Sequence, residues 1–253
     1  MGVRGAVMAG IAKQLGHPSG VRGRLVGVAL NRGNRRFVRA AVQALQPEDG
    51  SAVVDVGFGG GVGLKFLLDS LGSSGRVHGV EVSETMLSQA ARRYRRDIAT
   101  GRLALHTASM TQLPFADGTL NGVLTVNTIY FVAELDPAFT ELARVIDNSG
   151  RIVIGLADPD AMAKMPFTGH GFYLRPVPDV INTLRSAGLT VKHRRVSEDD
   201  GAPHLLIATP TPETSTPRSR TTSIPTESVR DAELRSRKIR EATRSAKPFD
   251  DST

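Results

Sequence analysis

Asp55 and five glycines share nine residues: Asp55-Val56-Gly57-Phe58-Gly59-Gly60-Gly61-Val62-Gly63. Glycines here allow a tight turn and let a ligand approach the backbone. A helix start just beyond them offers free N–H groups to a polar or negative group. The spacing excludes the dinucleotide fingerprint G-x-G-x-x-G. Counted from Gly57 its last position is Val62, and counted from Gly59 it is Leu64. A second carboxylate, Glu81, stands 20 residues after Gly61. An acid at that place can accept hydrogen bonds from both hydroxyls of a ribose. A plain strand–helix connection and a helix-start acid are the bland alternatives, but two such carboxylates at two strand ends are a more demanding coincidence.

Candidates for acid–base work are fewer. Asn127-Thr128-Ile129-Tyr130 and the stretch Asp158, Phe167-Thr168-Gly169-His170-Gly171-Phe172-Tyr173 follow apolar runs. In an open α/β sheet, segments after the strands border the ligand crevice. His170, flanked by glycines, is the best candidate base; its alternative is an ordinary exposed loop histidine. Tyr130 and Tyr173 can orient an acceptor or line a wall. His106 lies in a strand and reads as structural. The six histidines show no metal-ligand spacing, so no metal is expected. There is no Cys, which excludes disulfides, cysteine-ligated metal and a thiol nucleophile.

The elements that must carry these residues alternate. Ser51–Val56 is a short apolar run, as in a buried parallel strand. A helix is expected over Val62–Leu71, a strand over Val77–Val82, and a helix capped by Ser83 with four arginines in its last turns. Strands follow at Leu103–His106 and Leu120–Val126. Asp136-Pro137 reads as a helix start, and Asn148-Ser149-Gly150 as a turn before a strand at Ile152–Leu156. A helix at Pro178–Ala187 precedes a hairpin of Leu189–Val196 and His204–Thr209 that adds an antiparallel edge. This order defines an α/β fold, a doubly wound and mostly parallel sheet.

Several motifs, taken in order, resemble the class I S-adenosylmethionine-dependent methyltransferase family, specifically its small-molecule, ubiquinone/menaquinone-methyltransferase-like group. Val53 to Gly61 is similar to its first motif and Val80 to Met86 to its second. Leu113-Pro114-Phe115 is similar to the segment before the fourth strand. Leu142 to Ile146 followed by Gly150 to Ile154 is similar to the helix and strand beyond. The resemblance spans about residues 47–209. It implies a Rossmann-like seven-stranded sheet with an antiparallel last strand, and S-adenosylmethionine as cofactor. The implied cofactor residues are Asp55, Gly57, Phe58, Gly59, Gly61, Glu81, Val82, Met86, Ser109, Met110 and Asn127, with Val82 and Met86 flanking the adenine. Ser109 departs from the family, which has an Asp there for the adenine amine; its hydroxyl still accepts a hydrogen bond, at shorter reach. The implied activity is methyl transfer to a small-molecule or lipid-like acceptor by in-line displacement. The alternative is a non-catalytic module that binds the cofactor.

Charge separates the ends from the middle. Residues 1–46 carry eight Lys and Arg and no acid, residues 47–209 have 15 against 18 acids, and residues 210–253 have nine against seven. The first 46 residues read as a basic helical segment, either a lid over the acceptor or an attachment to an anionic membrane surface. Phe37 is their only aromatic residue, so specific nucleic-acid binding is not expected. Asn34 is a candidate cap for their last helix, which Gln46-Pro47 ends. Residues 210–253, rich in Thr, Ser and Pro, read as a disordered tail, with a transient charged helix at 226–246. No run is long enough to span a bilayer, and Lys13, Arg22 and Arg24 break the signal-peptide pattern. A cytoplasmic location, peripheral at a membrane if the second reading of the basic segment holds, is expected.

Overall fold

The computed structural model describes residues 34–212. Residues 1–33 and the tail from 213 lie outside the described residues. With them lie most of the basic segment read as a lid or membrane attachment, the disordered tail and the helix at 226–246.

Helix α1 covers 34–45. Strand β1 (Ala52–Val56) leads into α2 (Val62–Ser70), then β2 (Arg76–Glu81), α3 (Glu84–Arg93), α4 (Arg95–Ala99), β3 (Leu103–Thr107) and β4 (Leu120–Val126). A 3₁₀ turn at Ile129–Phe131 precedes α5 (Leu135–Val145) and β5 (Ile146–Leu156). Then come α6 (Pro159–Ala163), α7 (Val177–Ser186), β6 (Leu189–Arg195) and β7 (His204–Pro210). The seven strands form one sheet in the order β3-β2-β1-β4-β5-β7-β6.

Alternation along the strands divides the core in two. Val54, Val123, Ile152, Ile154 and Leu206 face α5 and α7, while Val53, Leu124, Val153 and Leu205 face α1 and α2. Both faces are covered at the centre of the sheet, so β1 reads as a nearly continuous apolar run rather than an alternating one. Chain order reverses between β1 and β4, which opens a crevice at their carboxyl ends.

Several expectations need correction. Asn34 is itself helical, so it does not cap α1. Gln46 does end it, in the left-handed conformation (φ 50) just before Pro47. Helix α5 starts two residues early, with Glu134 at the N-cap, which moves Asp136 from the cap into the first turn. Asn148-Ser149-Gly150 is not a turn between elements but lies inside β5. The register shifts there, from Leu120↔Ile146 to Gly122↔Arg151, so the extra residues bulge out of the strand. The helix over the arginines breaks at Tyr94. Strand β7 is antiparallel to both β5 and β6, so β6 occupies the edge and runs parallel to the other strands. The antiparallel strand is therefore inside the sheet, not at its edge. Residues 34–45 also belong to the core: Phe37, Val38, Ala41, Val42 and Leu45 are buried against Val53, Val153 and Leu205.

Candidate functional site

The turn after β1 starts from a buried acid. Asp55 is 4% exposed, and its carboxylate accepts from the Leu64 amide at the start of α2. A Cβ on Gly63 would overlap that carboxylate, so a glycine is needed for α2 to pack this close to β1. Gly57, Gly59 and Gly61 all have positive φ. A Cβ on Gly59 would meet nothing within 4 Å. That space belongs to the crevice, and Gly59 keeps it free for a ligand.

Glu81 ends β2 beside this turn. Its Oε2 accepts from the Gly59 amide at 3.0 Å, and its Oε1 from the amides of Val82 at 2.8 Å and Ser83 at 3.0 Å. Burial, and next the charge of Glu81, push the Asp55 carboxyl up to about 8. Asp55 thus keeps its proton up to about pH 8, and Glu81 supplies the negative charge at this end of the crevice.

A cavity of about 500 Å³ runs from this end across the carboxyl edge of the sheet. Of the residues expected to hold a cofactor, Asp55, Gly57, Phe58, Gly59, Glu81, Val82, Ser109, Met110 and Asn127 line it. Asn127 does so from a left-handed backbone (φ 57) after β4, its amide tied to the Gly155 carbonyl at 2.8 Å. Two expected residues stand elsewhere. Gly61 caps α2, and its carbonyl accepts from the Tyr94 hydroxyl at 2.7 Å. Met86 is 1% exposed and packs in the core rather than along the cavity, because it sits on the inner face of α3. Ser109 reaches the cavity with its hydroxyl already engaged, 2.9 Å from that of Thr111.

The acid–base candidates separate more sharply. His170 lies exposed in the loop after α6 and does not border the cavity. Tyr173 is half exposed and stacks under Arg175 instead. Tyr130 alone of the three lines the cavity. Its hydroxyl accepts from the Ala157 amide at 2.5 Å and donates to the Ala157 carbonyl at 3.2 Å. Burial raises its pKa well above the usual tyrosine range, so it keeps its proton and serves as a wall and an anchor, not as a base. His106, on β3, sits 3.1 Å from His78 with both rings against Phe115, and does not line the cavity. Among the described residues no three His, Asp or Glu gather as metal ligands would.

The far lobe of the cavity is apolar. Phe131, Phe167 and Phe172 form a tilted cluster, with centroids 4.8 and 5.8 Å apart about Phe172, joined by Met162 and Met165. Asn34 and Val38 of α1 close one side. The three phenylalanines stand in the sequence, but their meeting depends on two separate loops folding together.

Comparison with known proteins fits this geometry. Residues 54–154 match a family model described as a methyltransferase domain. An O-methyltransferase of Pyrenophora dematioidea is 27% identical over 135 residues, 51% of this chain and 50% of that protein. The ubiquinone/menaquinone biosynthesis C-methyltransferase of Geobacter sulfurreducens is 28% identical over 153 residues, 60% of this chain and 59% of that one. The chain spans about half the length of these curated relatives. A structure of an S-adenosylmethionine-dependent methyltransferase from Aquifex aeolicus superposes with TM-score 0.58 at 22% identity, covering 68% of this chain and 88% of that one; it bears on the fold alone. Residues 54–154 thus match a methyltransferase domain, and the glycine turn and the sheet order accord with the class I S-adenosylmethionine-dependent methyltransferase fold.

Proposed function

We propose that the chain transfers a methyl group from S-adenosylmethionine to a small-molecule or lipid-like acceptor. The observation that carries this reading is one continuous cavity with two chemically different ends. Two buried carboxylates and an open glycine turn form one end, and an aromatic and thioether lobe forms the other. The relatives named as O- and C-methyltransferases support the same class of reaction.

The residues present fit the cofactor. The space over Gly59 is a cradle that any Cβ would fill, and Glu81 keeps acceptor capacity toward it. When bound, S-adenosylmethionine supplies a methyl group on a positively charged sulfur. Toward it, Glu81 would accept from the ribose and Asp55, protonated at the floor of the crevice, would offer a neutral polar group. Val82 and Phe58 would give apolar surface to the base, and Met110 its backbone. The far lobe excludes water and holds the acceptor in line, which is the main protein contribution to a displacement of this kind.

Titration calorimetry with S-adenosylmethionine, S-adenosylhomocysteine and NAD(P), followed by transfer of a labelled methyl group to a panel of phenols, amines and isoprenoids, tests the proposal. Binding of the first two with labelled product is expected. Binding without product from any acceptor would favour a module that only binds the cofactor. Binding of NAD(P) alone would overturn both.

A further inference from the structure

Beyond the cofactor end, one chain of polar groups is not needed by the chemistry above. Asp158 follows β5 and caps α6, its Oδ1 accepting from the Ala161 amide at 2.8 Å. Its Oδ2 lies 3.1 Å from Nε2 of His204, the first residue of β7. Nδ1 of His204 lies 2.8 Å from Nε2 of His193 on β6, with the two rings stacked. His204 is 7% exposed, whereas His193 is exposed.

The proton positions follow from these contacts. The Ala161 amide, and then His204, hold the Asp158 carboxyl below its usual range, so it is an acceptor only. His204 must then carry its hydrogen on Nε2. In the neutral ring Nδ1 is left as an acceptor and takes the Nε2 hydrogen of His193. Asp158 and His193 together thus fix the tautomer of His204, and His204 fixes the second oxygen of Asp158.

What Asp158 anchors is the far wall of the cavity. Helix α6 carries Met162, and the loop beyond it carries Met165, Phe167 and Phe172. Inside that segment, Thr168 donates to the carbonyls of Met162 or Met165. It is tied down at its far end by the Tyr173 amide on the Tyr130 carbonyl at 2.8 Å. Its near end has the Asp158–His204 contact and the packing of Ala161 beside Gly201 of the hairpin turn. A five-residue helix has little stability of its own, so its placement depends on such anchors.

We propose that His204 is a positioning residue: acting through Asp158, with His193 fixing its tautomer, it holds α6 and the following loop as the wall of the acceptor lobe. The assignment of that lobe rests on the methyltransferase reading, but the positioning can be measured without an acceptor. The chain has no Trp, so Phe167→Trp places a lone reporter on the wall. In that background His204→Leu is expected to raise acrylamide quenching by about threefold, as a locally loosened segment would. His204→Gln, whose amide can still donate to Asp158, is expected to restore most of the protection. The S-adenosylhomocysteine affinity, read at the other end of the cavity, should stay within about twofold in both, because distant sites behave independently. Nitrogen-15 spectra of the parent should show His204 protonated on Nε2, and His193→Ala should mix its tautomers.

Unchanged quenching in a folded His204→Leu variant overturns the inference. So does a Gln variant no better than Leu, or a parent His204 protonated on Nδ1. If His204→Leu does not fold, the tautomer spectra of the parent and of His193→Ala still decide. Absence of S-adenosylhomocysteine binding in the parent would count against the methyltransferase reading alone, since the quenching and tautomer results are scored separately.

Discussion

At the scale of single residues, the two buried carboxylates decide the most. A carboxylate has about four lone-pair sites. Three amides occupy three of those on Glu81, which leaves one, on Oε2. Sequence reasoning expects Glu81 to take both ribose hydroxyls. The structure leaves room for one hydroxyl in this arrangement and makes Glu81 the clamp between the glycine turn and the start of α3. One charge-assisted bond is worth roughly 1.5–3 kcal/mol, so Glu81→Ala should weaken S-adenosylmethionine binding by roughly 10- to 100-fold in titration calorimetry. It should also lower the melting temperature, because three amides lose their acceptor. Glu81→Gln should fall between, since its carbonyl can serve Val82 and Ser83 while its NH₂ opposes the Gly59 N–H. A Glu81→Ala protein that melts like the parent would remove the clamp role. Asp55 makes a separate prediction through pH. Its folded pKa of about 8 lies above the ordinary 3.8, so the folded state holds a proton that the unfolded state releases. Stability from this group is therefore present at low pH and declines as pH rises from about 4 to about 8, by up to ~1.4 kcal/mol per unit. Asp55→Asn mimics the protonated acid and should flatten that slope. Its advantage in melting temperature over the ligand-free parent should be largest at pH 8 and vanish near pH 4. A constant difference across that range would mean that Asp55 is ionised in the folded protein.

At the scale of elements, the sequence is most informative where one local rule governs. β1 shows as a nearly continuous apolar run because both sheet faces are covered there, and the glycine turn shows because left-handed backbone needs glycine. The acceptor wall is much less legible. Phe131, Phe167 and Phe172 come from different loops, and nothing in their spacing says that they meet. Flanking glycines make His170 a candidate base in the sequence, yet the loop turns it outward while Phe167 and Phe172 turn in. The Asp158–His204 contact joins positions 46 apart in the chain, and no periodicity announces it. The β5 bulge is hidden for a similar reason: Asn148-Ser149-Gly150 has turn composition, and only pairing with β4 makes it strand. Within the glycine turn, the structure separates two substitutions. Gly59→Val should abolish S-adenosylmethionine binding because its branch enters open cavity space, and its left-handed backbone adds strain that lowers the melting temperature without a core clash. Gly63→Ala should instead destabilise the fold, because its Cβ would overlap the Asp55 carboxylate. Thermal melts and calorimetry on both variants check the contrast, and it fails if Gly63→Ala melts like the parent or Gly59→Val binds normally.

At the scale of the whole molecule, the boundaries of the folded unit are set by packing rather than composition. Two of the eight basic residues in the first 46 are used locally: Arg35 and Arg39 lie 5.2 and 5.0 Å from the centre of the Phe66 ring. Their helix buries six apolar side chains between 37 and 45, so a body cut at residue 47 would expose Val53, Val153 and Leu205. The other boundary is finer. Composition places it after Thr209, but β7 continues to Pro210, which pairs with Leu189. The Thr211 amide then donates to the Gly188 carbonyl at 3.0 Å, and the hydroxyls of Thr211 and Thr190 lie 3.1 Å apart. A chain ending at Thr209 loses these contacts and uncovers Leu189, which is 2% exposed. Two hydrogen bonds of about 1 kcal/mol each and a partly exposed leucine predict a loss of roughly 2–4 kcal/mol. For a domain of this size that corresponds to a fall of roughly 4–16 °C in melting temperature. A chain ending at Pro212 keeps every one of these contacts and should melt with the full chain. Scanning calorimetry on the two truncations separates a boundary set by strand pairing from one set by composition. Equal melting at Thr209 and Pro212 would show that the last two contacts contribute nothing. A fall of several degrees at Pro212 would show that residues beyond it pack against the domain.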